Sequence, residues 1–196
     1  MRLFKIEKCP KQYYDIIVND KFIFIQIPKT GSTSIYDECT KNKLVTSLNC
    51  YRHEGLNFIL QINKNYKELP VYCVVRNPFE QIVSWYLHCK RVHNIKLEFN
   101  NWLKENINDV HLSQSDYILV NNKIPDNVKI FKFENGIDKI VEYLNKTHNL
   151  NLKTLDLNKN EKYNWKDYYK NKKNIDIVVK HREKEFKLFN YPTNIN

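Results

Sequence analysis

At 196 residues and 23.8 kDa, the chain is long enough to bury a core unaided, and a single domain over 1–196 is the first expectation. Hydrophobic residues at 42% and aromatics at 13% exclude general disorder, and no stretch is long and apolar enough to span a membrane. The formal charge of +10 favours anionic partners, yet Lys and Arg are scattered singly, without the run that marks a basic tail.

The N-terminal stretch "MRLFKIEKCPKQYYD" interrupts its apolar residues with Lys and Glu and does not read as a signal peptide. Cys9, Cys39, Cys50, Cys73 and Cys89 are odd in number and contain no Cys-x-x-Cys pair. Reduced thiols in a soluble cytoplasmic protein fit this better than a disulfide framework. Cys50 with His53, and His88 with His93, are the spacings that suggest metal, and neither completes a ligand set, so no metal is expected.

In chain order, "YYDIIVNDKFIFIQI" reads as two strands about an Asn-Asp turn. "STSIYDECTKN" follows as a helix opening at a hydroxyl cluster. "PVYCVV" (70–75) is a short, continuously apolar run, the pattern of a strand buried on both faces. "NPFEQIVSWYLHCKRV" then offers Asn77 as N-cap and Pro78 as the first helical residue, with Phe79, Ile82, Val83 and Tyr86 on one face. "FNNWLKEN" reads as a short helix, "VKIFKF" (128–133) as a further strand, and "GIDKIVEYLNKTHN" as a helix. The C-terminal "NIDIVVKHREKEFKLF" carries helical spacing throughout, and the Asn- and Lys-rich 149–165 reads as a loop. Strands alternating with helices predict a three-layer α/β domain with a mainly parallel sheet.

Chemistry concentrates where strands give way to helices, because ligands of parallel sheets sit beyond the carboxyl ends of the strands. Pro28-Lys29-Thr30-Gly31-Ser32-Thr33-Ser34 occupies the first such junction. Unpaired backbone N–H groups at a helix start attract an anion. Gly31 would let the backbone approach it, Thr30, Ser32, Thr33 and Ser34 add hydroxyls, and Lys29 adds a charge. The plain alternative is an N-cap with a turn glycine. The loop is not a Walker P-loop, which needs two glycines and a terminal lysine. At the second junction, Arg76 ends the apolar strand where a guanidinium can grip a phosphate. Ser84 lies about 140° around the helix from Phe79 at 100° per residue, off the apolar face. The plain alternative makes Arg76 an ion-pair residue and Ser84 an ordinary polar-face serine.

Together, "IPKTGSTSI" and "VVRNPFEQIVSWY" resemble the 5′-phosphosulfate loop and 3′-phosphate motif of sulfotransferases that use 3′-phosphoadenosine 5′-phosphosulfate (PAPS). The chain is most similar to the Golgi-type carbohydrate sulfotransferases and their small bacterial relatives, a similarity that extends through "RHEGL", "FNNWL", "SDYIL", "FKFENGIDKIVEYL", "LNKN" and "FKLFNY". That resemblance implies a P-loop-NTPase-like sulfotransferase fold and metal-free sulfuryl transfer from PAPS to an acceptor hydroxyl, first of all on a carbohydrate. Lys29 would steady the departing phosphate and Thr30 through Ser34 would bind the 5′-phosphate. Arg76 and Ser84 would hold the 3′-phosphate, and Lys159 would close over the nucleotide, although Asn160 stands where the family pattern has serine. Proton removal calls for a base with a pKa near neutrality. His53 is the first choice, Glu54 the second, and His88 ranks lower. A P-loop-like kinase using ATP and Mg²⁺, and a non-catalytic polyanion-binding module, are the competing readings, and no nucleic-acid motif accompanies the basic charge.

Overall fold

The computed structural model describes residues 14–153 and 163–195. Its sheet has five strands: β1 (Tyr14–Val18), β2 (Ile23–Ile25), β3 (Thr46–Cys50), β4 (Val71–Val75) and β5 (Val128–Lys132), in the order β3-β1-β2-β4-β5. β2, β4 and β5 run parallel, whereas β1 pairs antiparallel with both β2 and β3. The sheet is therefore mixed, which corrects the mainly parallel expectation. The cause is the tight hairpin at Asn19, whose Oδ1 accepts the N–H groups of Lys21 and Phe22, so that β2 folds straight back on β1. β3 carries no apolar alternation and joins β1 as an edge strand.

Alternation along the strands sorts the side chains into two cores. Ile16, Val18, Ile23, Ile25, Val71, Cys73 and Val75 face one side with Leu56 and Ile59 of α2 (Leu56–Ile62). Ile17, Phe24, Tyr72 and Val74 face the other, where α1 (Ser32–Lys41) and α5 (Ile137–His148) supply Ile35, Ile140 and Leu144. Each fully buried branched side chain stabilises the fold by about 1.5–3 kcal/mol. The helices on both faces give three layers.

A third core lies among helices. α3 (Pro78–His93) begins as the sequence predicts, with Asn77 Oδ1 accepting the Phe79 N–H and Pro78 in the first turn. Its Phe79, Ile82, Val83 and Tyr86 bury against Trp102 and Leu103 of α4 (Phe99–Asn106) and against Val178 and Phe186. Those last two belong to α6 (Lys172–His181) and α7 (Glu183–Leu188). The C-terminal periodicity is thus split in two, because the chain leaves helical geometry at Arg182 and the buried guanidinium of that residue donates to the Ile107 carbonyl. Residues 154–162, and with them Lys159 and Asn160, lie outside the described residues.

Candidate active site at two strand–helix junctions

The loop after β2 turns through two left-handed residues, Lys29 at φ 65° and Gly31 at φ 80°. A lysine in that region is strained, and such strain gathers at functional sites. A Cβ on Gly31 would sit 2.7 Å from Ile137 Cδ1, so this glycine is required by its backbone and by the packing of α5 against the loop, whatever anion it faces. Thr30 Oγ1 donates to the Ile27 carbonyl at 2.8 Å and Ser32 Oγ to the same oxygen at 3.3 Å. These two hydroxyls brace the turn. α1 has no side-chain cap, which leaves first-turn N–H groups to meet an anion. Thr33 is half-buried and Ser34 buried in that first turn.

The second junction meets the first directly. Arg76 is 8% exposed, and its Nη1 donates to the Lys29 carbonyl at 3.1 Å. Nη2 donates to Glu80 Oε1 at 2.7 Å, and the guanidinium carbon lies 4.2 Å from the centre of the Phe133 ring. The ion-pair reading of Arg76 therefore holds, with Glu80 as its partner. Its Nε has no hydrogen-bond partner among the described residues, which leaves a buried donor for a ligand oxygen. Gln114 clamps the Arg76 backbone from both sides: Oε1 accepts the N–H at 2.8 Å and Nε2 donates to the carbonyl at 2.7 Å. Ser84 is 6% exposed on α3, more enclosed than a polar-face serine. Gln81 Nε2 bridges the carbonyls of Pro28 (3.1 Å) and His111 (3.4 Å), tying the lysine loop to the 109–112 turn.

Lys29 is cationic near neutrality, but burial, and after it the Arg91 and Arg76 charges, lower its pKa to about 8. His53 Nδ1 lies 2.5 Å from the Gln26 carbonyl. A carbonyl accepts only, so the proton sits on Nδ1 and the Nε2 lone pair is free. Burial, with Arg52, His111 and Lys29 nearby, lowers His53 to about 4, so it is neutral at pH 7. Burial raises the Glu54 carboxyl. His88 is also lowered to about 4, by burial and then by Lys29. It stacks on Trp85 with ring centres 5.3 Å apart.

The sequence reading passed over a second histidine on that indole. His111 stacks on Trp85 at 4.8 Å, and its Nδ1 meets Asp109 Oδ1 at 2.7 Å, while Asp109 Oδ2 accepts the Trp85 indole N–H at 3.0 Å. Burial works against the Asp109 charge, but hydrogen bonds from His111 and Trp85 outweigh it and hold the carboxyl below its ordinary range. The Asp-x-His spacing was the available signal, though it sits among short turns that carry no periodicity. Among the described residues no three His, Cys, Asp or Glu side chains gather as a metal site, and no helix is long and apolar enough to cross a membrane.

No family model matches the chain, and no curated protein matches it. Among solved structures it is similar to the crystal structure of a sulfotransferase from Alicyclobacillus acidocaldarius, at 16% identity and a TM-score of 0.43, over 89% of this chain and 80% of that one. A superposition that loose transfers neither residues nor chemistry, so the functional reading rests on this chain's own junctions.

Proposed function

We propose that this chain is a sulfotransferase that moves a sulfuryl group from PAPS to an acceptor hydroxyl, a carbohydrate first among acceptors, without a metal ion. The observation that carries the reading is the hydrogen bond from Arg76 to the Lys29 carbonyl. It sets two cationic strand–helix junctions side by side. The loop and first turn of α1, from Thr30 to Ser34, bind the 5′-phosphate through N–H and hydroxyl groups. The Arg76 guanidinium and Ser84 bind the 3′-phosphate. Lys29 neutralises charge that develops on the leaving phosphate, as preorganised cations do in phosphoryl transfer. His53 offers its Nε2 lone pair to the acceptor hydroxyl. A cytoplasmic setting suits the free, buried thiols of Cys39, Cys73 and Cys89.

The test is thermal shift and calorimetry with adenosine 3′,5′-bisphosphate, adenosine 5′-monophosphate and ATP, followed by labelled PAPS with and without chelator. The bisphosphate should raise Tm more than either other nucleotide, and transfer should survive chelation. Equal stabilisation by ATP and the bisphosphate removes the 3′-phosphate role of Arg76. A magnesium requirement for turnover points to a kinase instead.

A further inference from the structure

Building on the sulfuryl-transfer reading, we propose that His111, oriented by Asp109, is a second acid–base residue of this site and the place where the acceptor's proton comes to rest. The geometry has three parts. First, Asp109 Oδ1 lies 2.7 Å from His111 Nδ1 and accepts the His111 backbone N–H at 2.9 Å, which fixes the Nδ1–H tautomer and leaves the Nε2 lone pair outward. Second, the Trp85 indole lies flat against the imidazole and donates to the other Asp109 oxygen, so neither ring nor carboxylate is free to swing. Third, Gln81 joins the His111 carbonyl to Pro28, the residue before Lys29. The His111 side chain is 34% exposed, open to an incoming acceptor.

His53 alone is a poor final holder of a proton. It is half-buried, and the charged or ionisable groups acting on it are Arg52, His111 and Lys29, none of which offsets an imidazolium. His111 has the Asp109 carboxylate for that purpose. It faces Trp85 of α3, and His53 and Asp109 act on it. Asp109 in turn acts on Cys89 of α3, Tyr117 and Arg182. The step balances as follows. The acceptor oxygen forms its bond to sulfur as its O–H proton passes to His53 Nε2; once the sulfated product leaves, water carries that proton to His111 Nε2. The bond from sulfur to the bridging phosphate oxygen breaks, and its electron pair leaves on the bisphosphate beside the Lys29 ammonium.

The experiment uses the full chain with labelled PAPS and, as acceptor probes, water and a neutral phenol. His111→Ala should lower turnover at pH 7 by about 10²–10⁴-fold, the usual contribution of a general base. It should keep wild-type affinity for adenosine 3′,5′-bisphosphate, and added imidazole should restore part of the rate. Asp109→Asn should cost at least about tenfold and displace the acidic limb of the kcat/KM profile. Wild-type turnover by His111→Ala overturns the proposal, and so does a loss that imidazole leaves untouched while nucleotide affinity falls. Heteronuclear NMR of isotope-labelled histidine gives a readout that needs no acceptor. His111 should show the Nδ1–H tautomer, lose it in Asp109→Asn, and shift at Nε2 when the bisphosphate is added. No shift places His111 outside the site and ends the proposal while the transfer reading stands. A wild type that neither binds the bisphosphate nor consumes PAPS ends both.

Discussion

Lys29 shows what the site costs the fold. Its backbone is left-handed and its ammonium is half-buried beside Arg76 and Arg91, so in the free chain the charge is held where water would hold it better. For a lysine whose folded pKa is about 8 against 10.5 unperturbed, the unfolded chain binds more protons between those values. Stability therefore rises as pH climbs through that window. Lys29→Met should raise Tm at pH 7 by a few degrees, given about 2–4 °C per kcal/mol for a chain of this size. The gain should fade toward pH 10, and bisphosphate affinity should be lost throughout. A variant less stable than wild type at pH 7 contradicts the burial argument. His53 and His88 carry the same liability at lower pH. Both are lowered to about 4 from 6.5, so the stability of their neutral forms is complete above 6.5 and drains away as pH falls toward 4. Replacing both with Gln should flatten the acid limb of a Tm-against-pH curve between those values. An unchanged limb assigns acid unfolding to other groups.

At the scale of elements, α7 supports the site from behind. Glu185 is 3% exposed, and its Oε1 accepts Ser113 Oγ and Ser115 Oγ, each at 3.1 Å. Those serines flank Gln114, which clamps Arg76, so the carboxylate fixes the segment on which both Arg76 and His111 depend. Glu185→Ala leaves one buried and one half-buried hydroxyl without their acceptor and should cost about 3 kcal/mol. It should also weaken bisphosphate binding several-fold at temperatures where the variant is still folded. Destabilisation with unaltered affinity means the segment holds its place without α7. This support was not legible in the sequence, and the reason is physical. The β1–β2 hairpin, the capped start of α3 and the α1 loop are local events, written in Asn19, Asn77-Pro78 and Gly31. β3, α2, the break at Arg182 and the Asp109–His111 pair depend on partners tens of residues away and lack periodicity. Gln26, Gln81 and Gln114 are single buried amides whose role appears only once the loops they bridge are adjacent. The sequence places Ser84 on this helix off its apolar face, and it lies buried there.

Across the whole molecule, a net charge of +10 should draw any polyanion, and this general attraction must be separated from recognition by the two junctions. The two differ in how salt screens them. Charges at the surface lose their reach once the Debye length falls from about 10 Å at 0.1 M salt to about 3 Å at 1 M, whereas buried pairs are screened far less. Arg76 is buried, and its backbone is held by Gln114. Affinity for adenosine 3′,5′-bisphosphate and for adenosine 5′-monophosphate should therefore fall together, each by about tenfold across that salt range as lysine-borne attraction is lost. If Arg76 reads the 3′-phosphate, their ratio should stay constant within about twofold, because the buried guanidinium is screened far less than the surface. Arg76→Ala should bring the ratio close to one at every ionic strength while leaving the salt slope unchanged. If instead the ratio collapses in high salt with Arg76 intact, the preference for the bisphosphate is only its extra charge meeting a basic surface. The two junctions would then have no claim to reading a 3′-phosphate.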